Sequence, residues 1–230
     1  MHQLRYLITA TGIVVSLMAK VRASLRVLVS IALTCGSVPV FAVEIADDRG
    51  VSVLLDAPAR RVVALAPHLT EILFHIGGGG RLVGVMDHSD FPAAAQSLPR
   101  VGTHSRLDIE TILALKPDLI VGWGSGNPTE DIALLERLGL PVFISEPRAL
   151  ADISTLMRRL GTLIDEPSFA RQRAADFENG VNELAVRYSS RRRLRVFYQV
   201  WEQPLYTLNR EHIVSELIAD CGGANIFADL

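Results

Sequence analysis

An α/β fold of two Rossmann-like lobes, joined by one long connector helix and with the second lobe incomplete, follows from three features of this 230-residue sequence. Apolar runs of strand length alternate with amphipathic helical stretches from residue 61 to 164, which predicts a parallel sheet with right-handed crossovers. A polar helical stretch, Glu166–Tyr188, follows, long enough to extend ~30 Å at helical rise. A new strand signal then opens at Leu194, and the one strand and one helix legible after it are too little to bury a core. The second lobe is therefore expected to be truncated in this chain.

The elements are taken in chain order. Residues 1–42 carry Arg5, Lys20, Arg22 and Arg26, no acid, and the apolar run Val27–Val40. With Val40 and Ala42 as small residues at a cleavage point, this reads as a secretory signal peptide, with Met18 as an alternative start. The run is shorter than the ~20 residues of a membrane span. Asp48-Arg49-Gly50 turns a short hairpin within 46–58. Arg61–Ala66 is a strand ended by Pro67, Thr70–Ile76 a helix stopped by Gly77–Gly80, and Leu82–Val85 a second strand. Asp108 caps an amphipathic helix to Leu115, and Asp118–Trp123 is a buried parallel strand. Asn127 reads as a cap and Pro128 as the first residue of a helix to Leu138, with Gly139 as its stop. Pro141–Ser145 is a strand and Ala149–Leu163 a helix. Gly180 interrupts the long helical stretch. Leu194–Val200 is a strand and His212–Ala219 a helix. The division is thus 1–42 signal, 43–150 N-terminal α/β lobe, 151–190 helical connector and 191–230 the start of a C-terminal lobe.

Composition narrows the function classes. The first 42 residues hold four of the 23 basic residues and none of the 25 acids, so the rest of the chain is net -6. An acidic body argues against a nucleic-acid partner. No GxSxG, HExxH, P-loop or CxxC motif is present, and Gly77–Gly80 follows a helix, where it makes no phosphate cradle. A secreted α/β hydrolase is the nearest enzyme alternative, but Ser125 and Ser145 lack a strand-to-helix elbow. The chain is read as a non-enzyme. Cleavage of the signal would leave Cys221 alone in an oxidising compartment, as a buried free thiol or half of a bridge.

Several segments carry a resemblance: Arg61–Glu71 (RVVALAPHLTE), His88–Pro92 (HSDFP), Asp108–Trp123 (DIETILALKPDLIVGW), Arg195–Asn209 (RVFYQVWEQPLYTLN) and Cys221–Asp229 (CGGANIFAD). In these the chain resembles the periplasmic cobalamin-binding proteins of ABC importers, part of a helical-backbone group that also carries siderophores and haem. The likeness spans about residues 60 to 230. It implies a periplasmic monomer that holds a corrinoid in the cleft between two lobes and delivers it to membrane permease subunits with their ATPase. No cofactor is implied, since the corrinoid is cargo. Haem or a ferric siderophore is the alternative cargo, although the visible loops offer only Arg106 and Arg148 for an anionic siderophore.

The resemblance also implies site residues. Trp123 aligns with a cleft tryptophan, and its place at a strand C-terminus is where α/β sheets gather ligands. Pro67 and His68 match a ligand-touching loop. His88 and His104 stand where the family holds tyrosine and tryptophan, a departure that bears on the ligand. Tyr206 aligns with a cleft phenylalanine, and Trp201 lies close by. A histidine at 88 or 104 acting as an axial ligand to cobalt or iron is the sharper reading, and a polar, stackable replacement for an aromatic ring is the plainer one. Glu110 aligns with a surface glutamate that pairs with arginines of the permease.

Overall fold

The computed structural model describes residues 42–230. The cationic and apolar stretches expected to target the chain, with Met18 and Cys35, lie outside the described residues. The described chain opens with an antiparallel hairpin, β1 (Val43–Ala46) and β2 (Ser52–Leu55). Asp47 holds its turn from a buried position, accepting from the Arg49 and Val51 amides at 2.9 and 3.0 Å. It also accepts from the Ile144 amide at 3.2 Å, which fastens the hairpin to the main sheet.

That sheet consists of β3 (Val62–Ala64), β4 (Leu82–Val85), β7 (Leu119–Trp123) and β8 (Val142–Ser145), all parallel, in the order β4-β3-β7-β8. Its strands read as unbroken apolar runs because both faces are covered. On one face Val62, Ala64, Val121 and Phe143 pack against helices α1 (Pro67–His75) and α4 (Leu150–Leu163). On the other Val63, Leu65, Ile120 and Ile144 meet α2 (Ile109–Ala114) and α3 (Thr129–Arg137). Each fully buried Leu or Val contributes roughly 1.5–3 kcal/mol. A two-residue hairpin, β5 (Gly102–Thr103) with β6 (Arg106–Leu107), sits between β4 and α2. It is too short to leave a periodic signal.

Asp108 caps α2 as expected, accepting from the Thr111 amide at 3.0 Å and hydroxyl at 2.7 Å. These two bonds hold its carboxyl below the usual range. Gly139, at φ +82°, takes the left-handed turn after α3. One cap differs. The residue before α3 is Pro128, and the Asn127 side chain makes no cap. Its amide is used elsewhere, as described below.

The long helix α5 (Pro167–Tyr188) has 22 residues and runs unbroken through Gly180, contrary to the reading of that glycine as an interruption. Gly180 lies on the exposed side, where it costs only about 1 kcal/mol relative to alanine and breaks no packing. Ala170 and Ala174 are buried against the sheet's helical layer, and Phe177 packs beside them. Arg158 of α4 pairs with Glu178 of α5 at 2.8 Å, and the Ser154 hydroxyl donates to the same carboxylate at 2.6 Å. The Arg158 bond first, and the Ser154 bond second, lower the Glu178 pKa from 4.5 to about 2. A carboxylate depressed on folding stabilises the native state above its unfolded pKa and loses that contribution as pH falls through the folded one. Glu178→Gln is therefore expected to lower the urea midpoint at pH 7. Its difference from the parent should shrink between pH 4.5 and 2, and a difference constant across that range would refute the clamp.

Beyond α5, β9 (Leu194–Val196) pairs in parallel with β12 (Gly223–Asn225), and α6 (Ile213–Asp220) lies between them in sequence. The strand expected over Leu194–Val200 stops at Val196. Its partner β12 ends at Asn225, and Phe197 turns instead to an edge contact with Phe227 at 5.5 Å. A ribbon of β10 (Trp201–Glu202) and β11 (Leu205–Tyr206) follows. Glu216 of α6 accepts the Leu150 amide at 2.7 Å, so this part is fastened to the start of α4. Cys221 is exposed, not buried, and is unpaired among the described residues.

Candidate functional site

The C-terminal ends of the parallel strands carry most of the residues singled out from the sequence. β3 runs into Ala66, and Pro67 is the first residue of α1, which places His68 directly above the end of the strand. β7 ends in Trp123, on the same sheet face as Val121 and therefore on the side of α1. The two side chains meet: the His68 and Trp123 rings stand edge to face at 5.2 Å and 88°. Trp123 keeps 38% of its surface exposed. The turn after it folds back over the indole, and a Cβ at Gly126 would collide with the ring.

The His68 imidazole is held below its usual pKa by burial, against the opposing pull of the Glu146 carboxylate. Its Nε2 is buried without a hydrogen-bond partner among the described residues. Glu146 follows β8 and clamps the Trp123 turn, accepting from the Ser125 amide at 2.7 Å and hydroxyl at 2.9 Å. Ser125 thus donates to Glu146, and His68 Nε2 takes no proton from it. No serine–histidine relay exists at this edge among the described residues.

His88 follows β4 in a left-handed conformation, φ +65°, and is exposed. Its turn is fixed from behind. The Thr70 hydroxyl of α1 donates to the buried Ser89 hydroxyl at 3.2 Å, and Arg100 donates to the Met86 and Ser89 carbonyls at 3.3 and 3.1 Å. His104 is exposed at the tip of the β5–β6 hairpin. The two loops are neighbours, since the Asp87 amide donates to the Gly102 carbonyl at 3.0 Å. Among the described residues no three His, Cys, Asp or Glu side chains converge as a metal-binding group.

Glu110 is exposed in the first turn of α2. It borders a cavity of about 630 Å³ shared with Arg106, Asp108 and Asp131, separate from the His68–Trp123 pair. Trp201 and Tyr206 face each other across the β10–β11 ribbon and are 63% and 58% exposed. No hydrogen bond, ion pair or ring contact joins them to His68 or Trp123 among the described residues. The structure therefore unites His68 with Trp123, sets His88 beside the His104 hairpin, and pairs Trp201 with Tyr206 as a separate set. Ser125, Asn127 and Glu146 were not singled out from the sequence as parts of this edge. An acid directly after a buried strand, as at Glu146, is the one signal that would have marked it.

A parallel sheet with open strand-end loops, a long helix packed on its flank and a second parallel pair beyond define the α/β fold of the periplasmic binding proteins. The chain belongs to the periplasmic binding protein family, whose model matches residues 62–230. It is 41% identical to the vitamin B12-binding protein of Vibrio cholerae over 172 residues, 75% of this chain and 62% of that protein. It is 40% identical to the vitamin B12-binding protein of Yersinia pestis over 179 residues, 76% of this chain and 64% of that protein. The chain thus spans less than two thirds of the length of these relatives. The crystal structure of the periplasmic vitamin B12 binding protein of Vibrio cholerae superposes with a TM-score of 0.69, covering 75% of this chain and 68% of that one at 41% identity. A periplasmic heme-binding protein from Roseiflexus sp. RS-1 gives 0.64 at 29% identity, covering 74% and 67%.

Proposed function

We propose that this chain is the solute-capturing component of an ABC importer, acts in the periplasm, and takes a corrinoid of the vitamin B12 class. The observation that carries this is the partly exposed Trp123, in edge-to-face contact with His68 at the end of a central parallel strand, in a chain similar to vitamin B12-binding proteins. A corrin is a broad apolar macrocycle rimmed with amides, and flat aromatic walls with a few polar groups suit it. Pro67, His68, His88, His104 and Trp123 form the wall from residues 43–150. Trp201 and Tyr206 form the opposite wall, and α5 is the connector between them. A site built on packed elements loses little conformational entropy on binding, so more of the contact energy appears as affinity.

The alternative cargo is haem. It is favoured by two exposed histidines on adjacent loops and by similarity to a heme-binding protein. Either macrocycle enters as cargo, carrying its own metal. Glu110 faces outward beside an acidic cavity and serves as a contact for a basic surface on the permease.

Calorimetry of the purified protein against cyanocobalamin, cobinamide, haemin and a ferric siderophore tests this reading. Cyanocobalamin is expected to bind most tightly, and the charge-reversed Glu110→Lys is expected to keep that affinity while failing to stimulate the transporter's ATPase. Tighter binding of haemin, or no corrinoid binding at all, would replace the corrinoid with another cargo. Loss of affinity on charge reversal would move Glu110 into the ligand site.

A further inference from the structure

The most tightly built part of the candidate edge is a residue with no expected ligand contact. Asn127 is 8% exposed and bonds in two directions. Its Oδ1 accepts the Trp123 amide at 2.7 Å, and its Nδ2 donates to the Leu65 carbonyl at 2.7 Å. Leu65 follows β3 and lies three residues before His68; Trp123 ends β7. The side chain thus ties together the two strand ends that carry the aromatic pair, across 62 positions of sequence.

Backbone pairing alone does not do this. The β3–β7 register runs from Val62↔Leu119 to Ala64↔Val121 and stops there, and one further bond, Leu65 amide to Val121 carbonyl at 2.8 Å, extends it. Past that point the strands diverge, the Leu65 carbonyl needs a donor, and the Trp123 amide needs an acceptor. A side-chain amide supplies both at once, without charge and at any pH. Aspartate would set a carboxylate against the Leu65 carbonyl, and serine is too short to span the gap. Asn127 also lies on the face of the sheet opposite to Trp123, since the neighbouring Gly122 points toward Ile144, Asn127 and Ile132. It holds the backbone from beneath and leaves the indole face free.

We infer that Asn127 is the positioning residue of the binding edge, fixing the ends of β3 and β7 so that Trp123 meets His68 in one geometry before any ligand arrives. This rests on the placement of Trp123 and His68 in the ligand wall, and it explains how that wall is formed in advance.

The test reads the ring pair directly and needs no ligand, so a failure to bind corrinoid and a failure of this assignment are separate results. The full chain carrying Trp201→Phe has Trp123 as its one tryptophan. An imidazolium quenches a neighbouring indole, so emission should fall as His68 protonates. The midpoint should lie below the ordinary histidine value because burial outweighs the pull of Glu146. His68→Ala should abolish the step. Asn127→Ala is expected to reduce the step at least about twofold and move its midpoint up toward the ordinary value near 6.5. Asn127→Leu, which keeps the side chain's shape and loses both the acceptor for Trp123 and the donor to Leu65, should do the same and serves if the alanine variant fails to fold. A step of parental size and midpoint in a folded Asn127 variant would overturn the assignment, because burial of the side chain alone predicts lower stability and an unchanged ring pair.

Discussion

Trp123→Ala is expected to weaken corrinoid binding roughly 30-fold, the equivalent of about 2 kcal/mol at tenfold per 1.4 kcal/mol. The magnitude is that of an aromatic anchor truncated at a binding surface. Trp123 meets the conditions for such an anchor. Part of its ring is exposed, the ring stands in edge-to-face contact with His68, and its backbone is held by Asn127 and its turn by Glu146. The rotamer entropy that a free surface tryptophan would lose on binding has already been lost on folding. Trp123→Phe should retain most of the affinity, since a flat apolar face remains. Thermal melting of both variants should stay near the parent, because the indole lies at the rim and not in either apolar cluster. Calorimetry decides the matter: a loss of less than about threefold for the alanine variant would place the ligand elsewhere on the molecule.

The parts of this molecule that were legible in the sequence are those where one residue's chemistry answers one local need. Asp108 had to cap α2 because its carboxylate satisfies an orphan amide three residues on. The run Leu119–Trp123 had to be a buried strand because both sheet faces are covered. Asn127 shows where this stops. Its amide suits a helix cap equally well, and only the divergence of β3 from β7, fixed by packing between distant segments, draws it to Leu65 and Trp123 instead. Glu146 and Ser125 were illegible for the same reason: a bond between residues 21 positions apart has no period to betray it. The end of β9 at Val196 depends on how far β12 extends, which is information held some 30 residues away. At the His68–Trp123 edge, the sequence marked the two ring-bearing residues as candidates and gave no sign of the polar side chains, Asn127 and Glu146, that hold the Trp123 backbone and its turn.

Gly161→Leu is expected to destabilise the protein by about 3 kcal/mol, the upper part of the range for overpacking a well-filled contact. Gly161 lies inside α4, where glycine costs about 1 kcal/mol relative to alanine, so its presence calls for a spatial reason. A Cβ there would approach the Glu166 carbonyl oxygen to 3.2 Å and collide with Ala170 of α5. The obstacles are backbone and a buried methyl group, neither of which can swing aside. Relief requires α5 to move away from α4, and that movement would break the Arg158–Glu178 pair and carry Ala170 and Ala174 out of the core. For a chain of this size the shift is on the order of 10 °C in Tm, at 2–4 °C per kcal/mol. Gly161→Ala should fall between the parent and the leucine variant, since better helix propensity opposes the same collision. The change also bears on binding, because α5 carries the chain from the His68–Trp123 edge to the ribbon that holds Trp201 and Tyr206. A helix displaced at its root moves the second aromatic set relative to the first, so any folded leucine variant should lose corrinoid affinity although residue 161 lies outside the proposed wall. A melting temperature within about 2 °C of the parent would mean that the α4–α5 contact is looser than its small residues indicate.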